Sequence, residues 1–194
     1  MSKGRLEAFS DGVLAIVITI MVLELKVPHG ASFAALQPLL PVFLSYVLSF
    51  IYVAIYWNNH HHLLHAAQRV SGCILWANLH LLFWLSLFPF MTGWMGGTDF
   101  ASLPVAAYGL VSLLAAIAYF ILQTAIVASQ GPNSKLAEAI GKDVKGKISP
   151  VLYIAGIALA FPNRWISVAI YTFVALMWLA PDPRIESRLD QFSS

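Results

Sequence analysis

Polar and ionisable side chains stand inside long apolar stretches of this sequence, and they are the residues that could do chemistry. Ser10 and Asp11 begin an apolar stretch that continues to Leu23, Asn78 lies within another, and histidines cluster at 60–65. A carboxylate in such a stretch is costly, so it is a candidate functional residue that needs a named partner. These side chains offer metal binding by imidazole and hydrogen bonding between helices.

The histidine cluster has poor spacing for a metal site. His60, His61 and His62 are consecutive, so on a helix they point about 100° apart and cannot share one ion. Of the four histidines, only His61 and His65 have helical i,i+4 spacing, and no acid lies near them in the sequence. We therefore expect no bound metal, and we expect His62 and His65 to face water.

A hydrogen-bonded network between helices is the competing role for these residues. His60 or His61 could donate to Asp11 and Ser10, because a neutral imidazole leaves no unpaired charge in a low-dielectric environment. Asn78 could close the network, since intramembrane amides hydrogen-bond across helices with about 0.6–2 kcal/mol each.

Composition identifies an integral membrane protein. Of 194 residues, 59% are hydrophobic and 10% charged, and the mean hydropathy is +0.77, whereas soluble domains carry roughly 25% charged residues. The net charge of +2 comes from bases that form no polar domain, so we expect no nucleic-acid partner. The single Cys73 excludes an intrachain disulfide and a cysteine-based metal site.

Apolar segments predict an all-α, polytopic fold with six transmembrane helices in one domain, residues 1–194. The predicted helices cover about 6–26, 39–64, 71–95, 104–129, 148–162 and 164–181. The last two are short and are separated by turn formers at 162–163, which predicts a tight helical hairpin. Pro89 should kink the third helix. We expect most tyrosines and tryptophans of the later helices to anchor at the membrane interface, namely Tyr108, Tyr153, Trp165, Tyr171 and Trp178.

Basic residues predict the orientation. Nine of them fall on one side of a six-helix arrangement: Lys3, Arg5, Arg69, Lys135, Lys142, Lys145, Lys147, Arg184 and Arg188. Lys26 and Arg164 fall on the other side. By the positive-inside rule, the nine-base side and both termini are cytoplasmic.

One face of the first helix could line a pore. On a helical wheel a stripe of residues lies within about 60° of Ile16, comprising Gly12, Thr19, Ile20, Leu23 and Val27. Asp11 lies about 140° away, and Val17, about 100° off the stripe, is expected to face outward. The stripe could face lipid or core, as apolar residues in membrane helices commonly do. Alternatively, in a symmetric oligomer it could form aliphatic rings that gate a pore by dewetting.

Several classes of function find no support in the sequence. It has no phosphate-binding loop, nucleophile elbow or zinc-protease motif, so we expect no enzyme. A Thr-Val-Gly-Tyr-Gly filter and an arginine ladder are also absent. A secondary transporter, or a metal or redox membrane protein that uses the histidines at 60–65, remains the alternative, and a scaffold without transport is a third class.

Four motifs occur in the first three stretches: Arg5-x-x-x-Phe9-Ser10-Asp11, Trp57-x-x-His60-His61, Trp76-x-Asn78 and Ser86-x-x-Pro89-Phe90. In this combination the sequence resembles the bacterial members of the transmembrane protein 175 family, which are potassium-permeable channels related to the lysosomal potassium channel of animals. Animal members have two six-helix repeats and this chain has one, so the resemblance implies a homotetramer.

The resemblance also implies site residues and partners. The first helix of each subunit would line a central pore at Ile16, Thr19, Ile20 and Leu23, with aliphatic rings in place of a carbonyl filter. The motif and network residues would be Arg5, Phe9, Ser10, Asp11, Trp57, His60, His61 and Asn78. The expected function is passive cation conduction with potassium preference, in the inner (plasma) membrane of a bacterium. The expected partners are potassium and other monovalent cations, the lipid bilayer and copies of the chain itself, with no cofactor beyond the permeant potassium ions.

Overall fold

The apolar stretches form helices in the computed structural model, which describes residues 2–131 and 144–179. Those residues form eight α-helices and no strand. The helices are α1 (Lys3–Leu23), α2 (Phe33–Leu36), α3 (Leu40–Ala66), α4 (Gly72–Ser86), α5 (Phe88–Gly97), α6 (Ser102–Gln130), α7 (Val144–Leu159) and α8 (Arg164–Leu179). A single 3-10 turn, Gln37–Leu39, joins α2 to α3.

Four helical segments are long and apolar enough to cross a membrane: Lys3–Leu23, Phe33–Ala66, Gly72–Gly97 and Ser102–Gln130. The chain is therefore an all-α, multi-pass membrane protein. α7 and α8 have 16 residues each, which at 1.5 Å per residue gives about 24 Å, less than the roughly 30 Å of a bilayer's hydrocarbon core. The predicted end of the last segment, 180–181, and the bases Lys135, Lys142, Arg184 and Arg188 lie outside the described residues.

Proline and serine set the helix boundaries. Where a kink was expected at Pro89, the helix divides at Leu87, and Pro89 lies in the first turn of α5. Proline is tolerated there because the first-turn amides have no intrahelical acceptor. Ser71 caps α4, its hydroxyl accepting a hydrogen bond from the amide of Ile74 at 3.3 Å. The third predicted segment is thus two helices in series.

Helix α6 lies at the centre of the subunit and packs against α4, α5, α7 and α8, whereas α1 packs against α3, α4 and α5. Gly96 permits close packing of α5 on α3, because a Cβ at this position would lie 2.6 Å from the Cα of Val42. Small residues at such crossings are typical of membrane helices, whose association depends on close packing and interhelical hydrogen bonds.

The prediction of interface anchors is wrong for the tyrosines. Tyr108, Tyr153 and Tyr171 are buried in the core of the subunit, whereas Trp165 is 56% exposed. Tyr171 lies against Gly109 and Gly156, where any Cβ would overlap its ring or hydroxyl. The hydroxyl of Tyr108 accepts from Ser49 at 3.1 Å, so the core supplies the polar partner that the membrane interface would otherwise provide.

Replacing Tyr171 with phenylalanine should stabilise the protein by about 1 kcal/mol. Among the described residues, the Tyr171 hydroxyl is the buried side-chain polar atom without a hydrogen-bond partner, and removing an orphaned polar group removes its desolvation cost. Tyr108→Phe is the matched control, and it should destabilise the protein because it takes away the acceptor of Ser49. Thermal unfolding of both variants in detergent decides the matter: shifts in the same direction contradict this prediction.

Candidate functional site

A buried polar triad joins α1, α3 and α4. The amide nitrogen of Asn78 donates to the Ser10 hydroxyl at 3.0 Å, and His60 Nε2 lies 2.6 Å from Asn78 Oδ1. Because an amide oxygen only accepts, His60 donates here and carries its proton on Nε2. The relative exposures of Ser10, His60 and Asn78 are 0%, 1% and 0%. The triad is neutral, so three helices are tied together without burying a charge.

Local helix geometry directs each member inward. Ser10 lies on the buried face of α1 with Leu6, Leu14, Val17 and Met21. Its hydroxyl donates to the carbonyl of Leu6 at 2.9 Å, which leaves the oxygen free to accept from Asn78. Asn78 follows the Ser71-capped start of α4 by two turns. The start of α1, the end of α3 and the start of α4 lie at one end of the subunit. The three triad residues therefore lie toward that same end.

Asp11 lies outside this triad. Its carboxylate is exposed and accepts a hydrogen bond from Trp57 Nε1 at 3.0 Å. The structure therefore divides the expected network into a buried triad of Ser10, His60 and Asn78 and a separate exposed pair of Asp11 and Trp57. The physical reason is the 100° step between consecutive helical residues, which turns Asp11 away when Ser10 points inward.

The remaining motif residues lie around that exposed pair. Arg5 is exposed, and Phe9 is 51% exposed. His61 is exposed; its ring lies 6.3 Å from that of Trp57 and 6.2 Å from that of His65, measured between centroids. In residues 2–131 and 144–179, no group of three or more histidine, cysteine or acidic side chains is arranged to hold a metal ion.

The predicted pore residues share one uncovered face of α1. Ile16 is 57% exposed, Ile20 43% and Leu23 78%, and Thr19 is exposed between them. Val17 is only 3% exposed and belongs to the face packed inside the subunit, so the expectation that it faces outward is wrong. An apolar stripe on a helix whose opposite face is fully packed is available to line a pore, contact another subunit or face lipid.

Thr19 places a hydroxyl on this stripe, and the hydrogen bond that the hydroxyl donates is defined. Its hydroxyl donates to the carbonyl of Ile16 at 2.9 Å. Because the hydroxyl hydrogen is used in this bond, only the oxygen lone pairs remain available on the exposed side of the helix. A hydroxyl in this arrangement can accept a hydrogen bond from water or contribute to the oxygen shell of a cation.

Sequence reasoning missed a second interhelical polar cluster and a terminal tie. The Thr92 hydroxyl lies 2.6 Å from that of Ser49, and Ser45 donates to the carbonyl of Thr92 at 3.1 Å. The signal was present, since Ser45 and Ser49 have i,i+4 spacing on α3.

At the other end of the subunit, Lys3 Nζ donates to the carbonyl of His65 at 2.5 Å, which joins the start of α1 to the end of α3.

Comparison with known proteins decides the family. The sequence model of a family described as endosomal/lysosomal potassium channel TMEM175 matches residues 5–89. A potassium channel of Chryseobacterium sp. (strain P1-3) is 60% identical over 191 residues, which is 98% of this chain and 100% of that protein. The chain belongs to the TMEM175 family. The family and these relatives are ion channels, so the expectations of a channel protein and of no enzymatic activity are confirmed.

Other TMEM175 relatives extend the likeness to structure and to animals. The crystal structure of a lysosomal potassium-selective channel TMEM175 homologue from Chamaesiphon minutus superposes with a TM-score of 0.81 at 30% identity, covering 91% of this chain and 96% of that one. The endosomal/lysosomal proton channel TMEM175 of Homo sapiens is 40% identical over 96 residues, 43% of this chain and 19% of that protein. The bacterial likeness thus spans nearly the whole chain and the animal likeness only part of it.

Proposed function

We propose that this chain is the subunit of a passive, potassium-preferring cation channel in the bacterial plasma membrane, with its pore lined by α1 of four copies. The observation that carries the proposal is the uncovered stripe of Ile16, Thr19, Ile20 and Leu23 in a member of a potassium-channel family. One helix cannot enclose a pore, so a conducting path along this stripe requires symmetric copies around an axis. The relatives that cover nearly the whole chain are bacterial, which favours the plasma membrane.

The subunit spans the membrane six times in this proposal, with both termini cytoplasmic. Lys3 donates to His65, and Gln130 Nε2 donates to the carbonyl of Ala66 at 2.6 Å, so the start of α1 and the ends of α3 and α6 lie together. Bases collect at this end, including Arg5 and Arg69, which favours a cytoplasmic location. An even number of spans, with α7 and α8 as the last two, returns the chain to the same side.

Aliphatic rings form the constriction. A ring of four isoleucine or leucine side chains offers an ion no ligands, so it excludes water when narrow and opposes ion passage when dry. Ile16, Ile20 and Leu23 are successive turns of the stripe and are all eligible for the narrowest ring. The buried triad of Ser10, His60 and Asn78 holds the packed face of α1 on α3 and α4, which sets the rotation of the stripe toward the axis.

Flux measurements test the function directly. Purified protein in liposomes should release potassium down its gradient, without an added energy source and without change on addition of a metal chelator. A secondary transporter or a metal protein that uses the histidines at 60–65 should instead show stoichiometric metal, or flux that stops on chelation or requires a coupled ion. Liposomes that hold the protein and show no ion flux would support a scaffold and contradict the proposal.

Replacing Thr19 with alanine should weaken potassium preference and leave the pore conductive. Four Thr19 hydroxyl oxygens next to an aliphatic ring can replace part of the hydration shell of potassium, and alanine cannot. Thr124→Ala is the matched control, because Thr124 is exposed on α6 and its hydroxyl also donates to its own helix, to Phe120 at 2.8 Å. The reversal potential between potassium and sodium solutions should move toward zero for Thr19→Ala alone; equal effects in both variants contradict this role.

A further inference from the structure

A partly open cavity of about 60 Å³ lies between α3, α6, α7 and α8. It is separate from the α1 stripe, because its lining side chains come from those four helices alone. By volume it has room for about four to six water molecules or for one small ring. It lies toward the same end of the subunit as the buried triad, since Asn59 in its wall precedes His60.

Half of the twelve described residues in the wall are aromatic, and none of the twelve is charged. Tyr56, Tyr153 and Trp178 are among its aromatic members, and its other polar side chains are neutral amides and one serine. A buried cation or anion would therefore find no countercharge, and burying an unpaired charge is strongly unfavourable. Aromatic walls with a few polar groups are typical of sites for small organic molecules.

Gln123 supplies an unused hydrogen-bonding group in this wall. Its side chain is 8% exposed, and within the part of the chain that the structure describes its amide makes no hydrogen bond. The neighbouring polar groups are already engaged: Ser149 Oγ accepts from Trp178 Nε1 at 2.9 Å, and Asn59 Nδ2 donates to the carbonyl of Ile55 at 2.8 Å. Unlike the Tyr171 hydroxyl, the Gln123 amide keeps some exposure at the cavity, so it is available to a ligand that donates or accepts there.

We propose that this cavity binds a small neutral amphiphile of the phenol type, with its ring against the aromatic wall and its hydroxyl on the Gln123 amide. The amide offers both a donor and an acceptor, and a phenolic hydroxyl matches either one. The ring would lie in contact with tyrosine and tryptophan side chains of the wall. This binding does not require the α1 stripe to conduct, so the site and the channel function can fail independently.

Equilibrium dialysis with 4-bromophenol tests the site on the full-length protein in detergent. The wild type should bind saturably, with one molecule per chain beyond partition into empty micelles. Gln123→Leu should weaken binding about tenfold, because it removes the amide at nearly constant volume. Ala116→Phe, which fills the cavity, should abolish binding, whereas Ile117→Phe, on the same helix but 40% exposed, should bind as the wild type does.

The bromine atom locates the bound 4-bromophenol, because its anomalous difference peak in a crystal should lie beside Gln123. Binding that never saturates, or that is equal in all variants, is partition only and overturns the proposal. Saturable binding retained in Ala116→Phe, or bromine density elsewhere, also overturns it. If Ala116→Phe does not fold, Gln123→Leu decides alone: unchanged affinity in that variant contradicts recognition by the amide.

Discussion

Replacing Ile16 with asparagine is expected to raise conductance severalfold and to lower the discrimination between potassium and sodium. The physical reason is that a ring of four isoleucines forces an ion to lose water without offering ligands, whereas a ring of amides lets water stay. Ile16 is 57% exposed on the uncovered face of α1, so the substitution leaves packing inside the subunit unchanged. Conductance and bi-ionic reversal potentials in planar bilayers measure both effects.

Ile154→Asn is the matched control for this prediction. Ile154 is 58% exposed on α7, so the same substitution is made at nearly the same exposure on a helix outside the proposed pore. Val17, on α1 itself, is unsuitable because it is buried, and asparagine there would place an amide in the core. If Ile16→Asn and Ile154→Asn have the same reversal potential, the stripe does not line the pore.

Replacing Asn78 with leucine is expected to destabilise the subunit by about 2–4 kcal/mol and to reduce the fraction of intact oligomer. Leucine removes the acceptor of His60 and the donor to Ser10 together, so an imidazole N–H is left buried without a partner. Since the triad sets the rotation of α1 on α3 and α4, oligomer and current should be lost before selectivity changes. Thermal unfolding and native electrophoresis report the two effects.

Two other substitutions sharpen that result. Asn58→Leu makes the same change at an exposed position of α3, two residues before His60 and turned away from the triad, and should cost far less. Asp11→Ala removes an exposed acceptor of Trp57 and should destabilise less than Asn78→Leu. If Asn78→Leu is as stable as Asn58→Leu, the triad does not hold α1 in place. The same conclusion follows if Asp11→Ala is less stable than Asn78→Leu.

The sequence predicted the helices and the meeting of Ser10, His60 and Asn78, because apolar length and buried polar side chains are strong signals in a membrane protein. It misplaced Asp11 because neighbouring residues on a helix differ by 100°, and which of them faces inward depends on the rotation of the whole helix. Ser10 and Asp11 are both polar residues in an apolar segment, but of the two only Ser10 faces inward on α1.

The tyrosines show a second limit of sequence reasoning. Tyr108, Tyr153 and Tyr171 carry the same apolar body and polar tip that suit the membrane interface. Their burial depends on partners from distant helices, such as Ser49 for Tyr108, and on Gly109 and Gly156, which make room for Tyr171. None of these pairings is visible from the spacing of the tyrosines themselves. The cavity at Gln123 was hidden for the same reason, since four helices contribute to it.

Cysteine accessibility at position 16 tests the pore assignment most directly. In a Cys73→Ala background, which removes the exposed native thiol, Ile16→Cys should place four thiols around the axis, where cadmium binds and blocks potassium current. Ile154→Cys, at equal exposure, should conduct without cadmium block. Rapid, chelator-reversible block in Ile16→Cys alone is the predicted result. Current through Ile16→Cys that cadmium leaves unchanged, or block that appears equally in both variants, would contradict a pore lined by this face of α1.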